Sequence, residues 1–257
     1  MEFYVSSIKE YQQRGDIVNV ILDNLHLIHE NADSREYVTE KIAGFFSTLR
    51  DDLTLLVETE YVDKTYRDNY YTLYSTKLRP YYRNCVRISF FSPEFNEDTE
   101  FTVDNIDEIK KAYLGFLVIR PLVECCIGRN VVSPLAKGAA YNNMAICKTT
   151  IPSTCMGIKM QAEGFPHSSQ DGEMMSCAET TVWAILEYFG NKYSDYRPAK
   201  PSDILSALKP FVYERQLPSG GLSFEQISVA LKSQGLSSKV YEKSNPMFKE
   251  LFTCYIE

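Results

Sequence analysis

A cysteine at the predicted start of an amphipathic helix is the most informative chemical feature of this sequence. Cys177 follows Ser176, a residue that can cap a helix, and Glu179 completes the spacing of a capping box. The N–H groups at a helix start and the positive end of the helix dipole both favour a thiolate over a thiol. The same N–H groups can hold an oxyanion. The position therefore predicts that Cys177 is a nucleophile.

A glutamine precedes this cysteine in a polar segment that we expect to be a loop. The side-chain amide of Gln170 could form an oxyanion hole together with the backbone N–H of Cys177. The ordinary alternatives are that Gln170 is only a loop residue and that Cys177 is a small buried hydrophobe, as free cysteines usually are. We expect Cys177 to be catalytic or descended from a catalytic residue, with Gln170 as the candidate oxyanion donor.

The residues after Cys177 predict three helices. The first has one buried face, with Trp183 in the core beside it, and ends at Gly190. Its apolar positions are Ala178, Val182, Ile185, Leu186 and Phe189. A short helix runs from Pro201 to Leu208, and a third follows the turn at Ser219-Gly220-Gly221-Leu222-Ser223 and ends at Gly235.

These residues resemble a known family. The run of Gln170, Cys177-Ala178 and Trp183 is similar to the nucleophile region of papain-like cysteine peptidases, above all the bacterial C39-like branch, and the order of the later helices agrees. The resemblance covers roughly residues 155–257. It implies thiol-dependent hydrolysis of a peptide or isopeptide bond in a peptide or protein substrate, with Cys177 as the nucleophile and Gln170 as the oxyanion donor. Ala178 departs from the family pattern, in which glycine commonly follows the nucleophile, and the Gln-to-Cys spacing is one residue longer than usual.

The reaction also needs a general base, usually a histidine. The three histidines, His26, His29 and His167, all precede Cys177, whereas the base of papain-like folds lies downstream of the nucleophile. We therefore expect the base beyond Glu257, with this chain holding only the N-terminal half of the catalytic domain. The alternatives are a natural end in a frayed helix and the use of His167 as the base.

The end of the sequence predicts a last helix that starts at Asn245. Its apolar stripe needs a covering surface, either a partner or the missing C-terminal segment. The stripe consists of Phe248, Leu251, Phe252, Tyr255 and Ile256.

Composition restricts the function classes. The hydrophobic content of 44% and charged content of 24% are ordinary for a globular protein. A net charge of −7 argues against a nucleic-acid partner. We see neither an apolar run that could cross a bilayer nor a signal peptide, so no membrane role is predicted. Seven irregularly spaced cysteines without a C-x-x-C pair predict reduced thiols in the cytoplasm, and neither a metal nor an organic cofactor is implied.

The first 150 residues predict a helical region followed by a mixed one. Helices are expected from Ile17 to Leu25 and from Val38 to Leu53, and the tyrosine-rich residues 59–82 predict a further amphipathic helix, with a recognition surface as the alternative. Four strands are expected: Cys85 to Phe91, Tyr113 to Ile119, Met144 to Lys148 and Met156 to Met160. Arg120 and Arg129 could bind an acidic group or form salt bridges.

The predicted fold is therefore α+β. A helical and mixed N-terminal region, residues 1–150, precedes a partial papain-like domain, residues 151–257, with a boundary at Thr149–Ser153. Two other functions stay open. One is Cys-dependent acyl transfer, as in transglutaminase-like or arylamine acetyltransferase-like enzymes. The other is a non-catalytic interaction module in which the helix survives without the chemistry.

Overall fold

A computed structural model of the chain describes residues 2–14, 16–27, 31–95, 103–141, 143–209, 221–242 and 244–248. The α+β class predicted from the sequence is confirmed. The strands are β1 (Phe3–Ser7), β2 (Thr54–Tyr61), β3 (Cys85–Phe91), β4 (Tyr113–Ile119), β5 (Ile127–Val132), β6 (Thr149–Cys155) and β7 (Ile158–Gly164). The helices are α1 (Ile8–Arg14), α2 (Asp16–Asp23), α3 (Ala32–Phe46), α4 (Lys64–Thr72), α5 (Ile106–Ala112), α6 (Cys177–Lys192), α7 (Pro201–Leu208) and α8 (Phe224–Ser233).

The main sheet is antiparallel, with its five strands in chain order from β1 to β5. Alternate residues of β2 face opposite sides, as strand geometry requires. Leu55 and Val57 pack with helices α1 to α3, whereas Leu56 packs with the α4 region and the β6–β7 hairpin. The sheet is therefore covered on both faces, which explains why β4 is a continuous apolar run, as predicted, and why every residue of β3 is buried, Arg87 and Ser89 included.

The β6–β7 hairpin corrects two predicted elements. Met156 and Gly157 form its two-residue turn, with φ angles of 47° and 81°, so the strand expected from Met156 to Met160 instead starts at Ile158. Residues 144–148, predicted as a strand, have no regular structure. The residues at the predicted boundary, Thr149–Ser153, lie within β6 and form neither a linker nor a loop.

The described part of the N-terminal region contains three strands that the sequence analysis missed, β1, β2 and β5. Residues 59–61 of the predicted tyrosine-rich helix belong to β2, and only Lys64–Thr72 within that stretch is α-helical. Helix α3 ends at Phe46 rather than Leu53. The pairing of β2 with β3 explains why a strand forms where the sequence predicts helix. This pairing buries Glu58 against Arg87, a residue that is distant in sequence.

Helices α6, α7 and α8 form a separate apolar core. Trp183 is fully buried within it and Leu186 is 3% exposed, as predicted for the core side of α6. Gly190 does not end α6, which continues to Lys192. A Cβ atom at Gly190 would lie 2.3 Å from the backbone nitrogen of Pro198, so this glycine allows a close backbone approach.

The other C-terminal predictions have mixed outcomes. Gly235, with a φ angle of 88°, follows the end of α8 as expected. Ile185 and Phe189 are half-buried rather than buried. Of the predicted last helix, 245–248 form a turn, and 249–257 lie outside the described residues. None of the helices in the described ranges has the length and apolar composition needed to span a membrane.

Candidate functional site

Helix α6 begins at Cys177, as the capping chemistry predicts. Ser176 is the N-cap residue, and its backbone N–H donates to the Glu179 carboxylate at 3.1 Å. The Ser176 hydroxyl donates to the same oxygen. Glu179 is 2% exposed, so this carboxylate holds the start of the helix in place from the buried side. The Cys177 side chain, in contrast, is exposed at the first turn.

The structure brings Gln170 to the Cys177 thiol. The Sγ–H donates to Oε1 of Gln170 at 2.8 Å, and this amide is the thiol's one hydrogen-bond partner in the described parts of the chain. Rotation about the last side-chain bond of Gln170 exchanges Oε1 with Nε2, which can donate to an anion. The pair therefore lies where a thiolate and an oxyanion donor could act on one carbonyl group.

Asp171 shapes the loop that carries Gln170. Its Oδ1 atom accepts from three successive backbone N–H groups: Glu173 at 3.0 Å, Met174 at 2.8 Å and Met175 at 2.7 Å. The Asp171 N–H in turn donates to the Met175 carbonyl at 3.0 Å. One buried carboxylate thus closes the turn between Gln170 and the helix start.

Arg120 holds the other side of the same segment. Its buried guanidinium Nη2 donates to the carbonyl oxygens of Ser169 and Gln170, at 3.2 and 3.4 Å. It also donates to the carbonyls of Cys125 and Ile127, at 2.6 and 3.1 Å. The hydrogen bonds found for Arg120 therefore go to carbonyl oxygens rather than to the acidic group that the sequence suggested. Together Arg120 and Asp171 restrict the backbone on both sides of the Gln170 side chain.

His167 lies in this segment but bonds elsewhere. Its backbone N–H and C=O pair with Asn130 of β5, at 3.0 and 2.8 Å. The Asn130 Nδ2 donates to the Gly128 carbonyl at 3.0 Å and lies 3.2 Å from His167 Nδ1, so Nδ1 is the acceptor. Partial burial of the ring, and then the charges of Arg120 and Lys137, lower the pKa of His167.

His26 makes no hydrogen bond to this site in the described parts of the chain. His26 Nε2 lies 3.8 Å from the Glu60 carboxylate, and His29 is outside the described residues. Within the described ranges, therefore, no histidine is hydrogen-bonded to the Cys177 thiol.

A buried ion cluster positions the middle of α6, and the sequence analysis missed most of it. Glu187 is fully buried and lies 3.4 Å from Arg129 of β5 and 2.6 Å from Lys64. Arg129 also lies 3.8 Å from Asp63, the N-cap residue of α4. The salt-bridge role considered for Arg129 is confirmed. The spacing of Glu187, four residues after the buried Trp183, was the available signal that this acid faces the core.

The cysteines differ in how readily they could ionise. Six are described and all are free thiols. Burial raises the pKa of Cys126 to about 11 and that of Cys155 to about 12, and it raises the pKa of Cys85 well above its ordinary value. Cys177 and Cys147 are the exposed members of the described set. Of these two, Cys177 lies at a helix start beside the amide side chain of Gln170.

Among the described residues, no group of three or more His, Cys, Asp or Glu side chains is arranged to hold a metal ion. A depression of about 250 Å³ adjoins Gln170 and is lined by Lys41, Glu124, Cys125, Cys126, Ile127, Ser169 and Gln170. Comparisons with protein-family models, curated proteins and solved structures find no match for this chain.

Proposed function

We propose that this chain has the function of a thiol-dependent hydrolase of the papain-like, C39-like kind, acting on a peptide or isopeptide bond in a peptide or protein substrate. One observation carries the proposal. The amide of Gln170 lies 2.8 Å from the thiol of Cys177, which is the first residue of α6. A nucleophile at a helix start with a side-chain amide beside it has the elements that acyl chemistry needs.

The proposed reaction has two steps. The Cys177 thiolate attacks the carbonyl carbon, and the carbon–oxygen π electrons move to oxygen. The backbone N–H of Cys177 and the Nε2 of Gln170 donate to that oxyanion. Its collapse breaks the carbon–nitrogen bond, the amine leaves with a proton from the general base, and water then hydrolyses the thioester to regenerate the thiol.

The general base has two candidate origins. The family resemblance places it on a strand downstream of the nucleophile. His167 is the alternative within the described chain, because its lowered pKa keeps the ring uncharged at neutral pH, the form that accepts a proton. The hydrogen bond from Asn130 occupies the Nδ1 lone pair and leaves the proton of the neutral ring on Nε2, so His167 can act as the base only after this bond is broken. Replacement of His167 therefore separates the two origins of the base.

Single-turnover acylation tests the proposal without knowledge of the substrate. We expect p-nitrophenyl acetate to acetylate Cys177 faster than any other cysteine at neutral pH, with the site read by peptide mass spectrometry. Cys177→Ala should abolish the fast phase. Cys147→Ala is the matched control, because Cys147 is also exposed but lies in no helix. Equal acetylation of Cys147 and Cys177 would remove the basis of the proposal.

The fate of the acyl group distinguishes hydrolysis from acyl transfer. We expect the thioester to be released to water, with no gain in rate when a primary amine is added. A saturable acceleration by an amine would instead favour the acyltransferase reading. We further propose a cytoplasmic location, which the six free thiols support because reducing compartments keep thiols unpaired.

A further inference from the structure

The structure contains a second cleft that shares no lining residue with the depression beside Gln170. It lies between the β6–β7 hairpin, the end of α5 and the adjoining ends of β4 and β5, and has a volume of about 960 Å³. Its lining includes Lys110, Lys111, Tyr113, Ser153, Lys159 and Glu163. This volume is in the range of sites that hold small molecules.

Positive charge is concentrated in this cleft although the chain carries a net charge of −7. Lys110 lies 3.4 Å from Asp107, so its charge has a partner. The single acidic group of the lining, Glu163, lies 2.8 Å from Lys148 and is neutralised in the same way. Lys111 and Lys159 have no carboxylate partner in the described residues. The cleft therefore retains two positive charges, one from a helix and one from the facing hairpin.

The floor of the cleft supplies an oriented hydrogen-bond donor. Ser153 Oγ accepts from the Tyr113 hydroxyl at 3.2 Å and from Arg87 Nη1 at 3.3 Å. A hydroxyl oxygen has two lone pairs, so both are used and the Ser153 proton remains to be donated. Arg87 is itself buried and paired with Glu58, which keeps this arrangement rigid. A hydroxyl held in this way beside two unpaired lysines suits an anionic group.

We propose that the cleft binds a small organic anion with a phosphate or carboxylate group. The anionic group lies between Lys111 and Lys159 and accepts a hydrogen bond from Ser153. The rest of the ligand contacts the apolar wall at Leu135 and Pro152, of which Leu135 is 70% exposed. The site is independent of the thiol chemistry at Cys177.

Calorimetric titration of the 257-residue chain at low salt tests this inference. The probes are inorganic phosphate, phenyl phosphate, benzoate and the uncharged benzyl alcohol. We expect phenyl phosphate and benzoate to bind more tightly than phosphate alone because they add apolar contact, and benzyl alcohol not to bind. Raising the salt concentration should weaken the binding of all anions. Equal binding of benzoate and benzyl alcohol would overturn the inference.

Variants locate the binding. Lys111→Gln with Lys159→Gln should weaken phenyl phosphate binding by about five- to twentyfold, since each exposed charge pair contributes modestly. Ser153→Ala should weaken it by about threefold or more. Lys239→Gln is the matched control, an exposed lysine that does not line the cleft, and should leave the affinity unchanged. An unchanged affinity in the double lysine variant, or no anion binding at millimolar concentration, would refute the site, whatever the outcome at Cys177.

Discussion

The first turn of helix α6 and its third turn lie in opposite environments. Cys177 and Gln170 are exposed to solvent, and their hydrogen bond joins two side chains at the surface. Ten residues after Cys177, Glu187 is fully buried between Arg129 and Lys64. The same helix therefore carries an exposed thiol at its first turn and a middle that is held by charges inside the protein.

This difference separates residues that fix the helix from residues that could react. A buried ion pair contributes little net stability, because desolvation opposes the attraction, but removal of one partner leaves an uncompensated charge. Replacement of an exposed thiol or amide leaves no such charge. We therefore expect changes at Glu187 to affect folding and changes at Gln170 to affect chemistry.

The largest expected effect is at the buried ion cluster in the middle of α6. Glu187→Gln should lower the free energy of unfolding by about 3–5 kcal/mol, because Arg129 stays buried with only the more distant Asp63 as its partner. Urea unfolding measures it. Glu163→Gln, which removes an exposed pair with Lys148, is the control and should change stability by less than about 1 kcal/mol. Similar losses in the two variants would show that burial does not distinguish these two glutamates.

The next largest loss of stability is expected on the apolar side of α6. Leu186→Ala should cost about 2–5 kcal/mol, the usual range for a buried leucine. Leu78 is fully exposed, so Leu78→Ala should leave the denaturant midpoint nearly unchanged. If Leu186→Ala lowered the free energy of unfolding by only a few tenths of a kcal/mol, this face of the helix would not be packed as described.

Features that depend on neighbouring residues were predictable from the sequence, whereas features that depend on contacts between distant residues were not. The start of α6 was predictable because Ser176, Cys177 and Glu179 are neighbours, and capping is local chemistry. The polar residues around Gln170 predict a loop, which the structure contains, but the residue types do not indicate that Asp171 closes that loop through three backbone N–H groups. A loop geometry of this kind depends on dihedral angles that residue types only weakly restrict.

Long-range contacts explain the larger errors. Strand β2 contains Glu58, and an acidic residue does not indicate a buried strand. Its burial becomes understandable only from its pairing with Arg87 of the neighbouring strand. Gly190 resembles a helix terminator, but the close backbone approach at Pro198 is the reason for a glycine there. The turn at Met156-Gly157 was missed since methionine rarely adopts a positive φ angle.

A smaller effect is expected at the loop that carries Gln170. Asp171→Ala leaves three backbone N–H groups without their acceptor, so Gln170 should lose its position beside the thiol. We expect acetylation of Cys177 by p-nitrophenyl acetate to slow by about tenfold, while alkylation by iodoacetamide, which forms no oxyanion, changes little. Asp195→Ala, at an exposed position, is the control. Equal slowing of both reactions would indicate general disruption of the site.

The smallest expected effect concerns pH. The pKa of His167 is lowered in the folded chain, so the folded state disfavours the charged ring. Its contribution is fully present above the unfolded pKa of about 6.5 and is lost as the pH falls through the lower folded value. His167→Gln should therefore reduce the loss of stability between neutral and mildly acidic pH, measured by urea unfolding. If the free energy of unfolding depended on pH identically in the variant and the original chain, the lowered pKa of His167 would be contradicted.

The central claim is that Gln170 stabilises an oxyanion formed on attack by Cys177. The most direct measurement compares acetylation and alkylation of Cys177 in the original chain and in Gln170→Ala, with Gln161→Ala as an exposed glutamine control. The claim predicts that acetylation by p-nitrophenyl acetate falls at least about tenfold in Gln170→Ala, whereas alkylation by iodoacetamide changes less than about twofold. Unchanged acetylation in Gln170→Ala, or an equal fall in both reactions, would contradict it.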